Sequence, residues 1–281
     1  MEGLTTLEEH ACFGGVQGFY EHASHVIGLP MRFGVYQPPQ VAQGPVPVLY
    51  YLAGLTCNEQ TFAIKAGAQR IAAELGLVLV TSDTSPRVAR YPGDDASWDF
   101  GVAASFYVDA TQEPWRRSYR MDSYVTRDLP AVVERHFPVR PDARGTFGHS
   151  VGGHGALALA LRNPGRYRSV SAFAPIVAPS RVPWGRKAFA AYLGDARDAW
   201  SAYDACDLVR ARPRPDKLLI DVGTADKFLT EQLRPELFEA ACADAGQPLD
   251  LRRRVGYDHG YYFVATFVAD HLAHHAAALA A

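Results

Sequence analysis

Residues 148–152 read Gly-His-Ser-Val-Gly, and this pentapeptide restricts the fold more than any other stretch of the chain. The run before it, Arg144-Gly145-Thr146-Phe147, is short and semi-apolar, as a buried strand is. The run after it, Gly153-His154-Gly155-Ala156-Leu157-Ala158-Leu159-Ala160, has helical character. A serine at such a strand-to-helix junction occupies a sharp, strained turn that lifts its Oγ above the sheet edge. Gly148 and Gly152 are needed there because the strand and helix backbones pass too close for side chains.

The rest of the chain supplies matching elements. Residues 31–37 alternate and stop at Pro38-Pro39, which predicts an edge-type strand. Residues 46–52 form a near-continuous apolar run, as a central parallel strand does. Further strands are expected at 78–83, 169–174, 217–223 and 249–255. Helices are expected at 61–75, at 122–136 with a restart near Pro130, at 233–245 with Pro235 in the first turn, and at 262–280. Strands alternating with helices predict an α/β fold with a mostly parallel central sheet flanked by helices. No repeat or low-complexity linker divides the chain, so residues 1–281 read as a single domain. Two stretches, 84–118 and 175–200, lack clear periodicity. Both are placed to border a pocket at the carboxyl ends of the strands.

Composition excludes several function classes. Apolar residues make up 48% and charged residues 21%, as in soluble globular proteins. A net charge of −2 without a Lys/Arg block argues against nucleic acid as a partner. The first ten residues are acidic and carry no apolar segment of the secretory type. No apolar run reaches membrane-spanning length, so no membrane partner is expected. Cys12, Cys57, Cys206 and Cys242 are widely spaced with no C-x-x-C pair, which predicts reduced thiols in a cytoplasmic protein. His271, His274 and His275 stand at helical spacing with only Asp270 beside them, and read as an exposed helix surface rather than a metal site.

A serine hydroxyl is a weak nucleophile without a base. In strand-to-helix serine sites of this kind, the acid and then the histidine follow the serine in the chain. Asp226 stands just past the strand-like run 218–223, where a carboxylate can reach the active edge of the sheet. Asp221 is its competitor but lies inside the strand. His259, in Gly256-Tyr257-Asp258-His259-Gly260, is presented by a turn ahead of a helix. Asp258 is adjacent to it, and adjacent side chains commonly diverge. His149 is expected to point away from the site, and His154 to be a packing group. An oxyanion hole needs two backbone N–H donors. Val151, after the serine, supplies one. Leu55, in the Gly54-Leu55-Thr56-Cys57 turn after the central strand, supplies the other. Cys57 reads either as a small buried hydrophobe or as a pocket wall.

Several blocks are more specific than the serine turn. They include Cys12-Phe13-Gly14-Gly15, Gly54-Leu55-Thr56-Cys57, Asp83-Thr84-Ser85-Pro86-Arg87, Gly93-Asp94-Asp95-Ala96-Ser97-Trp98-Asp99-Phe100-Gly101, Glu113-Pro114-Trp115, Pro183-Trp184-Gly185 and Tyr257-Asp258-His259. Nearly end to end, the chain resembles the S-formylglutathione hydrolase (esterase D) family of the α/β-hydrolase fold. The resemblance implies hydrolysis of the thioester S-formylglutathione to glutathione and formate, the second step of glutathione-dependent formaldehyde detoxification. It implies Ser150 as nucleophile, Asp226 as acid and His259 as base, with Leu55 and Val151 as oxyanion donors. It also implies a cytoplasmic homodimer that uses no metal or organic cofactor. The chain departs from the family pattern at Gly260, where serine is usual, at Val151, where methionine is usual, and across residues 101–105.

In this chemistry Ser150 Oγ attacks the formyl carbonyl, His259 takes its proton, and glutathione thiolate leaves. Water activated by His259 then releases formate. Formyl is the smallest acyl group, so a short acyl pocket is expected. Trp98 and Trp184, from the two long loops, are read either as its boundary or as loop core. Lys187 is a candidate for a cationic rim that seats the glutathione carboxylates. The rival readings are a broad small-acyl carboxylesterase, an acyltransferase and a non-catalytic binding module.

Overall fold

The structure is a computed structural model that describes residues 3–280. Its strands are β1 (Leu4–Cys12), β2 (Gly15–Ala23), β3 (Pro30–Gln37), β4 (Val46–Leu52), β5 (Val78–Ser82), β6 (Val139–His149), β7 (Ser169–Phe173), β8 (Leu218–Gly223) and β9 (Leu249–Arg254). Its helices are α1 (Glu59–Lys65), α2 (Ala68–Leu75), α3 (Met121–Ser123), α4 (Leu129–His136), α5 (Val151–Arg162), α6 (Pro183–Leu193), α7 (Arg197–Ser201), α8 (Ala205–Ala211), α9 (Pro235–Ala245) and α10 (Tyr261–Leu279). Among the described residues the strands form one sheet in the order β1-β2-β3-β5-β4-β6-β7-β8-β9. The first three are antiparallel, as is the β3–β5 pair, and β5 through β9 pair in parallel. β5, β7 and β8 are buried along their whole length, so the polar residues they carry, Ser169, Ser171 and Asp221 among them, are out of water.

Sequence order and strand order together locate the site. From β4 the chain moves through α1 and α2 to β5 on one side, then returns to place β6 on the other side of β4. The carboxyl ends of β4 and β6 therefore flank the switch point where open α/β sheets bind ligands. The loop carrying Leu55 and the turn carrying Ser150 leave from those two ends. α1 is locked over the same strands by aromatic packing. Phe62 stacks on Tyr51 of β4 with ring centroids 3.8 Å apart and meets Phe147 of β6 edge-on at 5.5 Å. Such ring pairs contribute about 0.5–1.5 kcal/mol each beyond area burial.

Three expectations are corrected, and one hairpin had no expectation attached to it. β3 is not an edge strand, because β2 and β5 pair with it on both sides. Pro38 and Pro39 lie beyond its last residue, so their missing N–H groups remove no ladder bond. The β1–β2 hairpin left no apolar signature because β1 is exposed over most of its length and shows no period-two pattern. The helix expected at 61–75 is two helices, broken at Gly67, whose φ of +65° is left-handed. The stretch 175–200 holds α6 and most of α7 rather than only loop.

The C-terminal histidines also differ from the exposed surface expected of them. His271 and His275 are fully buried where α10 crosses the sheet, and His274 is partly buried. Serines of β7 meet them: Ser169 Oγ lies 2.6 Å from His275 Nδ1, and Ser171 Oγ lies 2.9 Å from His275 Nε2 and 2.8 Å from His271 Nδ1. Burial lowers the pKa of both imidazoles, so the core holds them neutral.

Candidate active site

Ser150 links the end of β6 to the start of α5 with φ 60° and ψ −118°. A non-glycine residue held in this region carries about 1–3 kcal/mol of strain, which the surroundings must over-determine. Its backbone is accordingly pinned. Its N–H donates to Phe173 O at 2.9 Å, and its carbonyl accepts from His154 N at 2.9 Å. The two flanking glycines are compulsory. A Cβ on Gly152 would stand 1.9 Å from Leu52 O, and one on Gly148 would stand 2.3 Å from Gly152 O.

Asp226 and His259 come from the loops after β8 and β9. His259 Nδ1 lies 2.5 Å from Asp226 Oδ2, and the Asp226 side chain is fully buried. The other carboxylate oxygen, Oδ1, accepts the N–H of Phe228 at 2.8 Å. Both oxygens are therefore occupied and the carboxylate cannot rotate freely. The Phe228 ring meets His259 edge-on with centroids 5.0 Å apart, fixing the other side of the imidazole. Asp221, the competing acid, is turned instead to Arg254 Nη2 at 2.9 Å. Asp258 accepts the N–H of Gly260 at 2.8 Å within its own turn.

Ser150 and His259 line one cavity of about 190 Å³. Gly54, Leu55, Thr56 and Cys57 form one wall, Trp98 and Trp184 the rim, and Phe228 and His149 the remainder. Among the described residues, neither the Leu55 nor the Val151 N–H donates to a backbone carbonyl. Val151 opens α5, where the first N–H groups of a helix have no partner inside it. The Leu55 loop is anchored on both sides. Thr56, at φ 67°, donates its N–H to Ala103 O at 3.1 Å, and Cys57 N–H closes a turn onto Gly54 O at 3.2 Å. Asn58 then starts α1 with a capping box. Its Oδ1 accepts the N–H groups of Gln60 and Thr61, and Thr61 Oγ1 accepts the N–H of Asn58, each at 3.1 Å.

The long loops meet across the rim. Trp98 and Trp184 pack edge to face with centroids 5.2 Å apart. Lys187, expected at this rim, does not line the cavity. Its Nζ is held by Asp99 Oδ1 at 2.7 Å and Ser97 Oγ at 2.8 Å. The adjacent acid on the facing loop satisfies the ammonium, and the pair pins the Trp98 loop to α6. Cys57 is partly buried in the cavity wall, a free thiol whose pKa is raised by burial.

His149 is a second correction. It faces the site, with its ring centroid 4.5 Å from that of His259. Burial first, and the neighbouring His259 second, hold its pKa well below the usual value. By ordinary hydrogen-bond geometry its ring nitrogens have no partner among the described residues, and the His259 backbone, the smallest influence on the ring, acts to raise its pKa. A neutral ring there adds no positive charge against a protonating His259. His154 packs between Phe106 and Phe189, and burial brings its pKa down to about 4. Phe228 was missed from the sequence, although its position two residues after Asp226 matches an aspartate accepting the N–H two residues on.

A serine on a strained strand-to-helix turn, with an acid-held histidine beside it at the switch point of a mostly parallel sheet, defines a serine hydrolase of the α/β-hydrolase fold. The Esterase family model matches residues 24–274. The chain is 52% identical to the S-formylglutathione hydrolase of Mus musculus over 275 residues, covering 97% of this chain and 98% of the other. It is 51% identical to the Bos taurus S-formylglutathione hydrolase over the same shares. A solved structure of S-formylglutathione hydrolase from Agrobacterium tumefaciens superposes with a TM-score of 0.96 at 48% identity, covering 98% of this chain and 99% of that one. The chain belongs to the S-formylglutathione hydrolase family.

Proposed function

We propose that this chain hydrolyses S-formylglutathione to glutathione and formate through a formyl-Ser150 intermediate. One observation carries the reading: Ser150 and His259 share a 190 Å³ cavity, and His259 is held through Nδ1 by a buried carboxylate. Asp226 keeps the Nδ1 proton in place, which leaves Nε2 free to accept the Ser150 proton. Ser150 Oγ then bonds to the formyl carbon, and the N–H groups of Leu55 and Val151 receive the oxyanion. Loss of one such donor typically costs about 3–4 kcal/mol of transition-state stabilisation. The C–S bond breaks and glutathione leaves, a good leaving group because the ordinary pKa of a thiol is about 8.5; the departing sulfur takes the proton from His259 and returns Nε2 to its acceptor form. In the second half, water gives one proton to His259 and its hydroxide oxygen to the formyl carbon; the Ser150 ester bond then breaks, His259 returns the proton to Ser150 Oγ, and formate is released.

The reading extends to the whole chain, residues 1–281, as one domain working as a cytoplasmic homodimer. All four cysteines are free, which suits a reducing compartment. No helix among the described residues is long and apolar enough to cross a membrane. Size-exclusion chromatography with light scattering tests the dimer, since a monomer mass at working concentration rejects it.

The cavity is small, so acyl length is the discriminating variable. Each methylene without room costs roughly 1–3 kcal/mol in discrimination. On a glutathione carrier, kcat/KM is expected to fall from formyl to acetyl to butyryl, with small activated aryl esters still accepted. A butyryl thioester handled as well as the formyl one rejects the short pocket and favours a broad carboxylesterase.

A further inference from the structure

A second cavity, of about 340 Å³, lies against the same stretch of chain. Cys57 lines the first cavity, and the next two residues, Asn58 and Glu59, line the second. Arg87, also in the second cavity's wall, donates Nη2 to Cys57 O at 2.7 Å and so braces the partition.

The charges of this wall are three carboxylates and three guanidinium groups. Two pairs neutralise one another. Arg32 Nε meets Glu21 Oε2 at 2.9 Å, and Arg87 Nε meets Asp83 Oδ2 at 2.7 Å. Glu59 and Arg90 are left over. Arg90 is exposed and donates only to the carbonyls of Arg87 and Ala89. Glu59 is 3% exposed, yet among the described residues its carboxylate has no ion pair and no hydrogen bond to another residue. Burial raises its pKa and Asp83 adds to the effect, while its own backbone N–H and the nearby Arg32 and Arg87 act in the opposite direction without pairing with it. An unpaired carboxylate facing a cavity favours a cationic ligand there.

We infer that this cavity binds the α-amino-acid zwitterion at the γ-glutamyl end of the thiol carrier, with Glu59 accepting from the ammonium and Arg90 facing the α-carboxylate. The inference rests on the proposed function and names the part of the substrate that lies beyond the thioester. The two cavities adjoin: the wall residues Cys57 and Glu59 are two positions apart, so their Cα atoms are at most about 7.6 Å apart, and an extended γ-glutamyl-cysteine arm has a reach of roughly 7–10 Å. One free acid and one free base on the wall match one ammonium and one carboxylate on the ligand. A plain cation or a plain anion would leave one of them unmatched.

The test is inhibition of aryl-ester hydrolysis by S-methylglutathione and by its analogue with glutaryl in place of γ-glutamyl, which lacks only the ammonium. The unaltered enzyme is expected to bind S-methylglutathione about tenfold tighter than the analogue, as one charge-assisted hydrogen bond allows. Glu59→Gln should weaken S-methylglutathione about tenfold and change the analogue less than about twofold, so that discrimination disappears. Arg90→Gln should weaken both ligands alike, because both keep the carboxylate. It stands at an exposed position and carries the test if Glu59→Gln fails to fold. Equal affinity of the unaltered enzyme for the two ligands, or equal weakening of both by Glu59→Gln, overturns the inference. No inhibition by S-methylglutathione overturns it too. Turnover of S-formylglutathione is measured separately. If that substrate is consumed while Glu59→Gln retains discrimination, the subsite is wrong and the proposed function stands.

Discussion

Replacing Asp226 by asparagine exchanges one oxygen for nitrogen inside a fully buried contact. Asp226 Oδ1 already accepts the N–H of Phe228 at 2.8 Å, and Oδ2 lies 2.5 Å from His259 Nδ1. The amide oxygen of asparagine is needed at Phe228, so the NH2 group faces His259. Nδ1 must then act as acceptor, the proton moves to Nε2, and Nε2 can no longer take the Ser150 proton. A wrong tautomer of this kind lowers kcat by about 10⁴, or about 5.4 kcal/mol at 1.36 kcal/mol per tenfold. Flipping the amide restores the tautomer but sets its NH2 against the Phe228 N–H. That leaves a buried donor unsatisfied at about 1–3 kcal/mol, so the loss stays at least about fivefold. The assay is single-substrate kinetics with S-formylglutathione, with circular dichroism confirming the fold. Asp221→Asn is the control. It breaks a part-buried ion pair with Arg254, which keeps Asp270 as a partner, and the expected loss is about 1–3 kcal/mol of stability, not turnover. A folded Asp226→Asn enzyme at near-parent kcat, with Asp221→Asn inactive, would refute the acid assignment.

Stability should fall in acid. The folded pKa of His154 is about 4, below its ordinary 6.5, so its contribution is complete above pH 6.5 and shrinks as pH falls towards 4. Between pH 7.5 and pH 5 this one group accounts for about 2 kcal/mol in urea titrations, and His154→Gln should flatten the slope by that amount. An unchanged slope in the variant rejects the assignment. Alkylation of Cys57 should inhibit by crowding the cavity, slowly at neutral pH because burial raises the thiol pKa and faster as pH rises. Cys57→Ser should keep most activity and lose that sensitivity; a folded but inactive variant gives Cys57 a more direct role. Gly152→Ala puts a methyl group 1.9 Å from Leu52 O, and thermal melting should show a loss of about 3 kcal/mol or more. A parent-like melting temperature means the turn tolerates more movement than its geometry allows.

How much of this was legible in the sequence depends on how far each signal reaches along the chain. Strand β4, the strand-to-helix turn at Ser150, and the order Ser150, Asp226, His259 were readable because each is written within a few consecutive residues. A buried parallel strand must be continuously apolar, and a backbone crossing at close range must carry glycine. The same local logic placed Leu55 and Val151 after the two strands that end at the switch point. Tertiary packing decided the rest. The β1–β2 hairpin has no apolar period because one side of the hairpin stays in water. His149 faces His259 because the turn at Ser150 swings the residue before it into the cavity, a direction that no spacing encodes. Lys187 is drawn to Asp99, 88 residues earlier in the chain. His271 and His275 look like a polar helix surface until two serines of β7 meet them under the sheet. Glu59, which stands two residues ahead of the helix expected at 61–75, becomes a buried unpaired carboxylate only when β3 and the loop after β5 close around it. Sequence periodicity sets which face of an element is apolar. Which polar group ends up buried, and against what partner, depends on elements far apart in the chain, and only the folded arrangement brings them together.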